Sequence, residues 1–240
     1  MKFCLAFAVM CLAALGQAQN VLVWSTGNNF APGNTPHVAE WIQESGQFTS
    51  AVGINMNTGM TAEYLDSFDK VLYFSNGSFG QDPEEVGDLL GQFAATGKRL
   101  VLATFSWSGQ GTNTLGGDIL NYSPFAVNGI SLYSDVTIGS TDGSSFWNGV
   151  DDIDAYYHDD VVVTNGATLR GTWSDGSPIL ANNGEVVGLN MFPDDNFERL
   201  EGDNRQLTIN ALTQPVPEPL STVGLLGALT TFVVRRRRPS

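Results

Sequence analysis

Three sets of residues have types and spacings that could do chemistry. Ser106 follows an apolar run, RLVLATFS, and could act as a nucleophile with His158 as base and Asp159, Asp160 or Asp194 as the orienting carboxylate, since such triads recur in different chain orders. Of these, Ser106, His158 and Asp160 make the hydrolase alternative. A nucleophile elbow usually carries glycine two residues to either side of the serine, and here those positions are Thr104 and Ser108. The second set is acidic. Asp151, Asp152 and Asp154, followed closely by Asp159 and Asp160 in NGVDDIDAYYHDD, offer the hard oxygens that Ca²⁺ prefers, so calcium is the one cofactor the sequence suggests. The spacing is not that of an EF-hand, because no glycine marks the sharp turn and no glutamate closes the loop. The third set is aromatic: Trp107, in a Gly/Ser loop, is the tryptophan best placed to stack on a sugar ring. Trp24 and Trp41 repeat with apolar faces and belong to the core. His37, at a helix start after Pro36, reads as structural.

These residues have to be positioned by alternating elements. VLVWS, Phe48 to Ile54, VLYFS and RLVLATFS read as strands buried on both faces. Thr35 and Pro36 open one helix. Asp82, Pro83 and the glutamates after them open a second, which Gly97 closes, with Val86, Leu89, Leu90, Phe93 and Ala94 along one face. Apolar strands alternating with helices predict a doubly wound α/β domain with a mostly parallel sheet. The second half, with strands at Val161 to Thr164, Thr168 to Trp173, Ile179 to Ala181 and Val186 to Met191 separated by NG, DG and NNG turns, predicts hairpins and then a helix from Asn204 to Leu212. Ligands of such sheets bind beyond the carboxyl ends of the strands. That rule selects Asn28, Asn29, Ser75, Asn76, Ser106 and Trp107 as ligand-binding candidates.

Both termini carry addresses. Lys2, the apolar segment Phe3 to Leu15 and the small residues Gly16 and Ala18 form a secretory signal spanning residues 1–18. The body then runs over residues 19–213, a linker over 214–219, and an apolar segment with an arginine cluster over 220–240. Leu220 to Val234 would span roughly 22 Å as a helix, short of the roughly 30 Å hydrocarbon core, so by itself it is a poor anchor. Pro217, Glu218 and Pro219, then that apolar run, then Arg235, Arg236, Arg237 and Arg238 resemble the PEP-CTERM sorting class. The resemblance implies an exported, membrane-held precursor whose tail inserts transiently and is processed by an exosortase, leaving the body at the cell surface or outside the cell.

Composition limits what that body can do. Both cysteines, Cys4 and Cys11, lie in the signal, so disulfides, thiolate metal sites and a cysteine nucleophile are excluded from the mature chain. The segment from Gln19 to Pro217 holds six basic residues against 24 acidic ones, a net charge of −18. Such a surface repels nucleic acid and anionic lipid and attracts cations or basic partners.

The order of elements, together with GEVVGLNMFPDD, resembles the class I glutamine amidotransferase-like, flavodoxin-like fold. That family places a nucleophilic cysteine on a turn after a central strand and a histidine and carboxylate in a late Gly-x-Gln-Phe-His-Pro-Glu segment. Here the late segment is Gly188, Leu189, Asn190, Met191, Phe192, Pro193, Asp194, with phenylalanine in the histidine's place. The cysteine position falls on Phe105 or, with a slip of one, Ser106. Amidotransfer needs a thiolate activated by an imidazole, and neither is present. The expectation is therefore a retained fold without glutaminase chemistry: a non-catalytic binding or matrix-associated protein, with extracellular polysaccharide as a candidate partner.

Overall fold

The computed structural model describes residues 19–27, 34–56, 58–75, 82–107, 114–195 and 200–214. The segment 1–18 expected to be a signal, the candidates Asn28, Asn29 and Asn76, and Pro217, Glu218, Pro219 and Arg235 to Arg238, expected to form a sorting signal, lie outside the described residues. Among the described residues no helix is long and apolar enough to cross a membrane.

Four strands with buried side chains on both faces make the centre of the sheet: β1 (Asn20–Thr26), β3 (Lys70–Ser75), β4 (Arg99–Ala103) and β9 (Val186–Leu189). Because side chains alternate across a strand, each presents half of its apolar residues to each face. Val21, Val23, Leu72, Phe74, Val101, Ala103, Val187 and Leu189 meet α1 (Asn34–Glu44) and α4 (Asn204–Thr213) on one side. Leu22, Trp24, Val71, Tyr73, Leu100, Leu102 and Val186 meet α2 (Ala62–Asp66) and α3 (Pro83–Ala95) on the other. The caps of α3 match the sequence: the Asp82 side chain accepts from the Glu84 amide, and Gly97 takes φ 76° just beyond the last turn. The segment beginning at Phe48 forms β2 (Ser50–Asn55), which is half-exposed because it is the sheet's edge and not a buried strand. At β2, a side chain on Gly53 would lie 2.2 Å from the Thr35 carbonyl oxygen, so glycine there admits the first turn of α1.

The expectation of a doubly wound, mostly parallel sheet is overturned. The sheet has ten strands in the order β10-β6-β5-β7-β8-β9-β4-β3-β1-β2, and only the pairs among β2, β1, β3, β4 and β9 are parallel. The other five pairings are antiparallel. They involve β5 (Phe125–Thr141), β6 (Ile153–Val163), β7 (Thr168–Trp173), β8 (Pro178–Asn183) and β10 (Leu200–Gly202). The strand that changes the architecture is β5. It pairs with β6 over its first part and β7 over its last, so the Asn165–Gly166 turn does not close a hairpin between its own neighbours. Its residues, FAVNGISLYSDVTIGST, are largely exposed and carry little apolar periodicity, which is why the sequence pattern passes over it. The DG and NNG turns do close hairpins, β7 to β8 and β8 to β9.

Candidate functional site

The carboxyl ends of β3, β4 and β9 bring together the segments that the sequence singles out. After Ala103 the chain makes a tight turn through a cis peptide between Thr104 and Phe105. The Ser106 amide and hydroxyl both return to the Ala103 carbonyl, at 3.0 and 2.5 Å, while the Phe105 amide donates to the Ser75 carbonyl at 3.3 Å. Asn190, at the end of β9, ties this turn to the antiparallel half. Its Oδ1 accepts from the Thr104 hydroxyl at 2.9 Å and the Asp159 amide at 2.7 Å, and its Nδ2 donates to the carbonyls of Asp159 and Pro178 at 2.8 and 2.9 Å. All four of its amide hydrogen-bonding positions are used, so this buried polar group costs nothing in unmet bonds.

Phe105 and Phe192 meet with ring centroids 5.7 Å apart. Phe192, where the resemblance puts the base, is thus adjacent to Phe105, one of the two positions, with Ser106, on which it puts the nucleophile. From this pair the aromatic packing continues through Phe74 on Phe192 (5.3 Å) and Tyr157 on Phe105 (5.9 Å), then Tyr133 on Tyr157 (5.7 Å) and Tyr156 on Tyr157 (5.1 Å). The cluster is buried at Phe105 and Phe192 and reaches solvent at Tyr133, which is 41% exposed. The register pairing Tyr133 with Tyr157 across β5 and β6 produces this outer edge. Because β5 itself is not legible in the sequence, the tyrosines were not among the expected site residues; AYYH in β6 was their only visible signal.

The expected triad does not assemble. Ser106 is fully buried on the Ala103 carbonyl. His158 is also fully buried, but its Nε2 lies 3.1 Å from Asp175, and Asp160 accepts instead from the Asn128 amide at 2.9 Å. It is Asp159, on the opposite face of β6 from His158, that reaches the turn, accepting from the Trp107 amide at 3.3 Å and the Ser131 hydroxyl at 2.9 Å. Trp107 is not an exposed platform: it is 2% exposed, donates from its indole to Ser123 at 2.9 Å and stands edge-on to Phe125. Its indole N–H finds a buried acceptor in Ser123, which lets the ring be buried. Ser75 is buried as well.

The acidic residues proposed for calcium do not converge. Asp151, Asp152 and Asp154 are exposed, and the amides of the first two donate to the Asp203 carboxylate at 2.8 and 3.2 Å. Among the described residues the group that does converge is His37, Asp194 and Asp195. His37 comes from the first turn of α1, which the Gly53 approach brings down on β2, and the aspartates follow Phe192. Burial alone would raise the Asp195 carboxyl, but hydrogen bonds and charge from Arg205 and His37 hold it below the ordinary carboxylate range. Asp175 behaves likewise: burial opposes ionisation, and hydrogen bonds from Ser177 and His158 prevail and lower it.

No protein-family model matches the chain, and no curated protein matches it either. Solved structures do. A cytoplasmic protein of Salmonella typhimurium aligns at a TM-score of 0.61 and 10% identity over 81% of this chain and 97% of that one. A ThuA-like protein of Bacteroides uniformis aligns at 0.58 and 14% identity over 81% and 91%. A glutamine amidotransferase of Thermotoga maritima is a more distant match, at 0.48 and 13% identity over 72% and 75%. ThuA-like proteins have a class I amidotransferase-like fold, so the resemblance seen in the late segment is shown at the level of fold.

Proposed function

We propose that this is an exported, cell-surface or matrix-associated binding protein without catalytic activity, carrying a PEP-CTERM signal whose tail is processed by an exosortase-type enzyme. Its ligand would be extracellular polysaccharide, held by stacking of sugar rings on the tyrosine edge formed by Tyr133, Tyr156 and Tyr157. The observation that carries the reading is the Phe105–Phe192 contact. A ring, Phe192, stands at the position of the base, Phe105 or the buried Ser106 stands at that of the nucleophile, and the aromatic surface continues from the two rings to solvent. A benzene ring can neither take a proton nor attack a carbonyl, but it packs well against apolar sugar faces and the tyrosines beside it. The acidic body favours a neutral or basic polymer over an anionic one.

Co-sedimentation of the purified full chain with polysaccharide from the producing cell, in calcium and in chelator, tests this. Saturable binding is expected, weakened about fivefold by Tyr133→Ala, which corresponds to about 1 kcal/mol for one aromatic contact. Trp107→Ala is expected to change stability and not the binding surface. Absence of saturable binding in both conditions, or binding indifferent to Tyr133, would overturn the proposal.

A further inference from the structure

We propose that His37, Asp194 and Asp195 form a binding site for one divalent transition-metal ion of the Zn²⁺, Co²⁺ or Mn²⁺ kind. The site is separate from the tyrosine edge and does not depend on the binding role proposed for it. Three ligating atoms from parts of the chain more than 150 residues apart lie within 4.8 Å of one another. His37 Nε2 stands 3.0 Å from Asp195 Oδ1 and 3.9 Å from Asp194 Oδ1. An ion about 2.1 Å from each donor sets neighbouring donors roughly 3.0 Å apart at right angles and roughly 3.4 Å apart in a tetrahedron. The His37–Asp195 separation equals the first value and the His37–Asp194 separation exceeds the second by about 0.5 Å, so the ion would enter with a side-chain shift of at least that order.

The donor set also selects the ion. One imidazole and two carboxylates suit borderline metals, whereas Ca²⁺ prefers an all-oxygen shell and soft ions prefer thiolates, which the mature chain lacks. The carboxylates are poised for a cation. Asp194 is 1% exposed and Asp195 18% exposed, so both carboxylates sit largely out of solvent beside the imidazole. Arg205 supplies the outer shell, its Nε donating to Asp195 Oδ2 at 2.6 Å and its Nη2 to Oδ1 at 3.2 Å, which fixes the carboxylate's orientation.

An independent feature of the same place concerns Trp41, one helical turn after His37 and so on the same face of α1. Arg205 lies over its ring at 5.8 Å, and its buried indole N–H has no hydrogen-bond partner among the described residues. His37 and Asp195 remain 24% and 18% exposed, leaving that side open.

The test uses the full chain stripped with chelator and titrated calorimetrically with Zn²⁺, then with Co²⁺ followed by its visible absorption. One equivalent is expected to bind, with His37→Ala and Asp194→Asn each weakening it at least about tenfold and Asp151→Asn leaving it unchanged. Near-UV circular dichroism checks that each variant is folded, and a His37→Gln chain serves if the alanine is not. Copper-loaded wild type supplies a readout without any variant: nitrogen coupling in its electron paramagnetic resonance spectrum is expected from the imidazole. Absence of saturable binding, absence of that coupling, or a folded His37→Ala chain that binds like wild type would overturn the proposal, the last by assigning uptake to the general acidic surface.

Discussion

The two ends of the parallel strands are built on opposite plans. At the amino-terminal end, two buried cations begin adjacent strands, Lys70 on β3 and Arg99 on β4. Both are spent on main chain: Lys70 donates to the Leu212 carbonyl at 2.6 Å, and Arg99 to those of Ala211 and Gln214 at 3.4 and 2.7 Å, with Glu185 also at 2.8 Å. These carbonyls close α4, whose carboxyl end is the negative end of its dipole, so the cations satisfy groups that the helix cannot. At the carboxyl-terminal end there are rings and a histidine with two aspartates, partly open to solvent. One end is fixed by charge against backbone, the other by side chains that leave contact surface over. The difference teaches that the turn after β4 stands without a functional group at its tip, because Asn190 and the Ala103 carbonyl hold it.

Breaking the aromatic end should have the largest effect on stability. Phe192→Ala removes a buried ring touching Phe74, Phe105 and Tyr157, and is expected to cost about 3–5 kcal/mol in denaturant unfolding. A loss under about 1 kcal/mol would mean that the rings are not a packed unit. At the other end Arg99→Leu strands two helix-end carbonyls and is expected to cost about 2–3 kcal/mol, less than a fully buried pair because Glu185 is 42% exposed. A neutral result would show that the cation cap contributes little.

The smallest effect sharpens the comparison by pH. Burial, and then the charge of Arg99, lower Lys70 to about 8 from its ordinary value near 10.5. Between these values the unfolded chain binds the extra proton and the folded chain does not, so this group makes stability rise as pH goes from about 8 to 10. Above that range Tyr73, which burial pushes well up, works in the opposite direction. The slope in midpoint against pH between 8 and 10 should be smaller in Lys70→Met than in wild type; equal slopes would place the titration elsewhere.

The legible parts of the fold were those written in local pattern. Asp82, Pro83 and Gly97 bound α3 as expected, and the apolar runs of β1, β3, β4 and β9 are buried strands of the parallel half because their middle residues are apolar on both faces and polar side chains fall at their ends. The late segment from Gly188 to Asp194, with the order of elements, carried the amidotransferase-like resemblance that the solved structures support as a fold, but not the mixed sheet. What misled was a pattern with two readings. Phe48 to Ile54 is apolar enough for a core strand yet sits at the edge, and the Gly/Ser loop around Trp107 suggests exposure where the indole is buried on Ser123.

By itself, then, the sequence determined the central strands, the bounds of α3, the acidic surface and the absence of a thiol or imidazole at Phe105 and Phe192. These depend on residue type and short-range period. Only the tertiary structure decided that β5 enters between β6 and β7 and turns half the sheet antiparallel, that Tyr133 meets Tyr157, and that His37 meets Asp194 and Asp195. The physical reason is that such contacts join residues far apart in the chain through strand register and the seating of α1 on Gly53. No local propensity encodes either one.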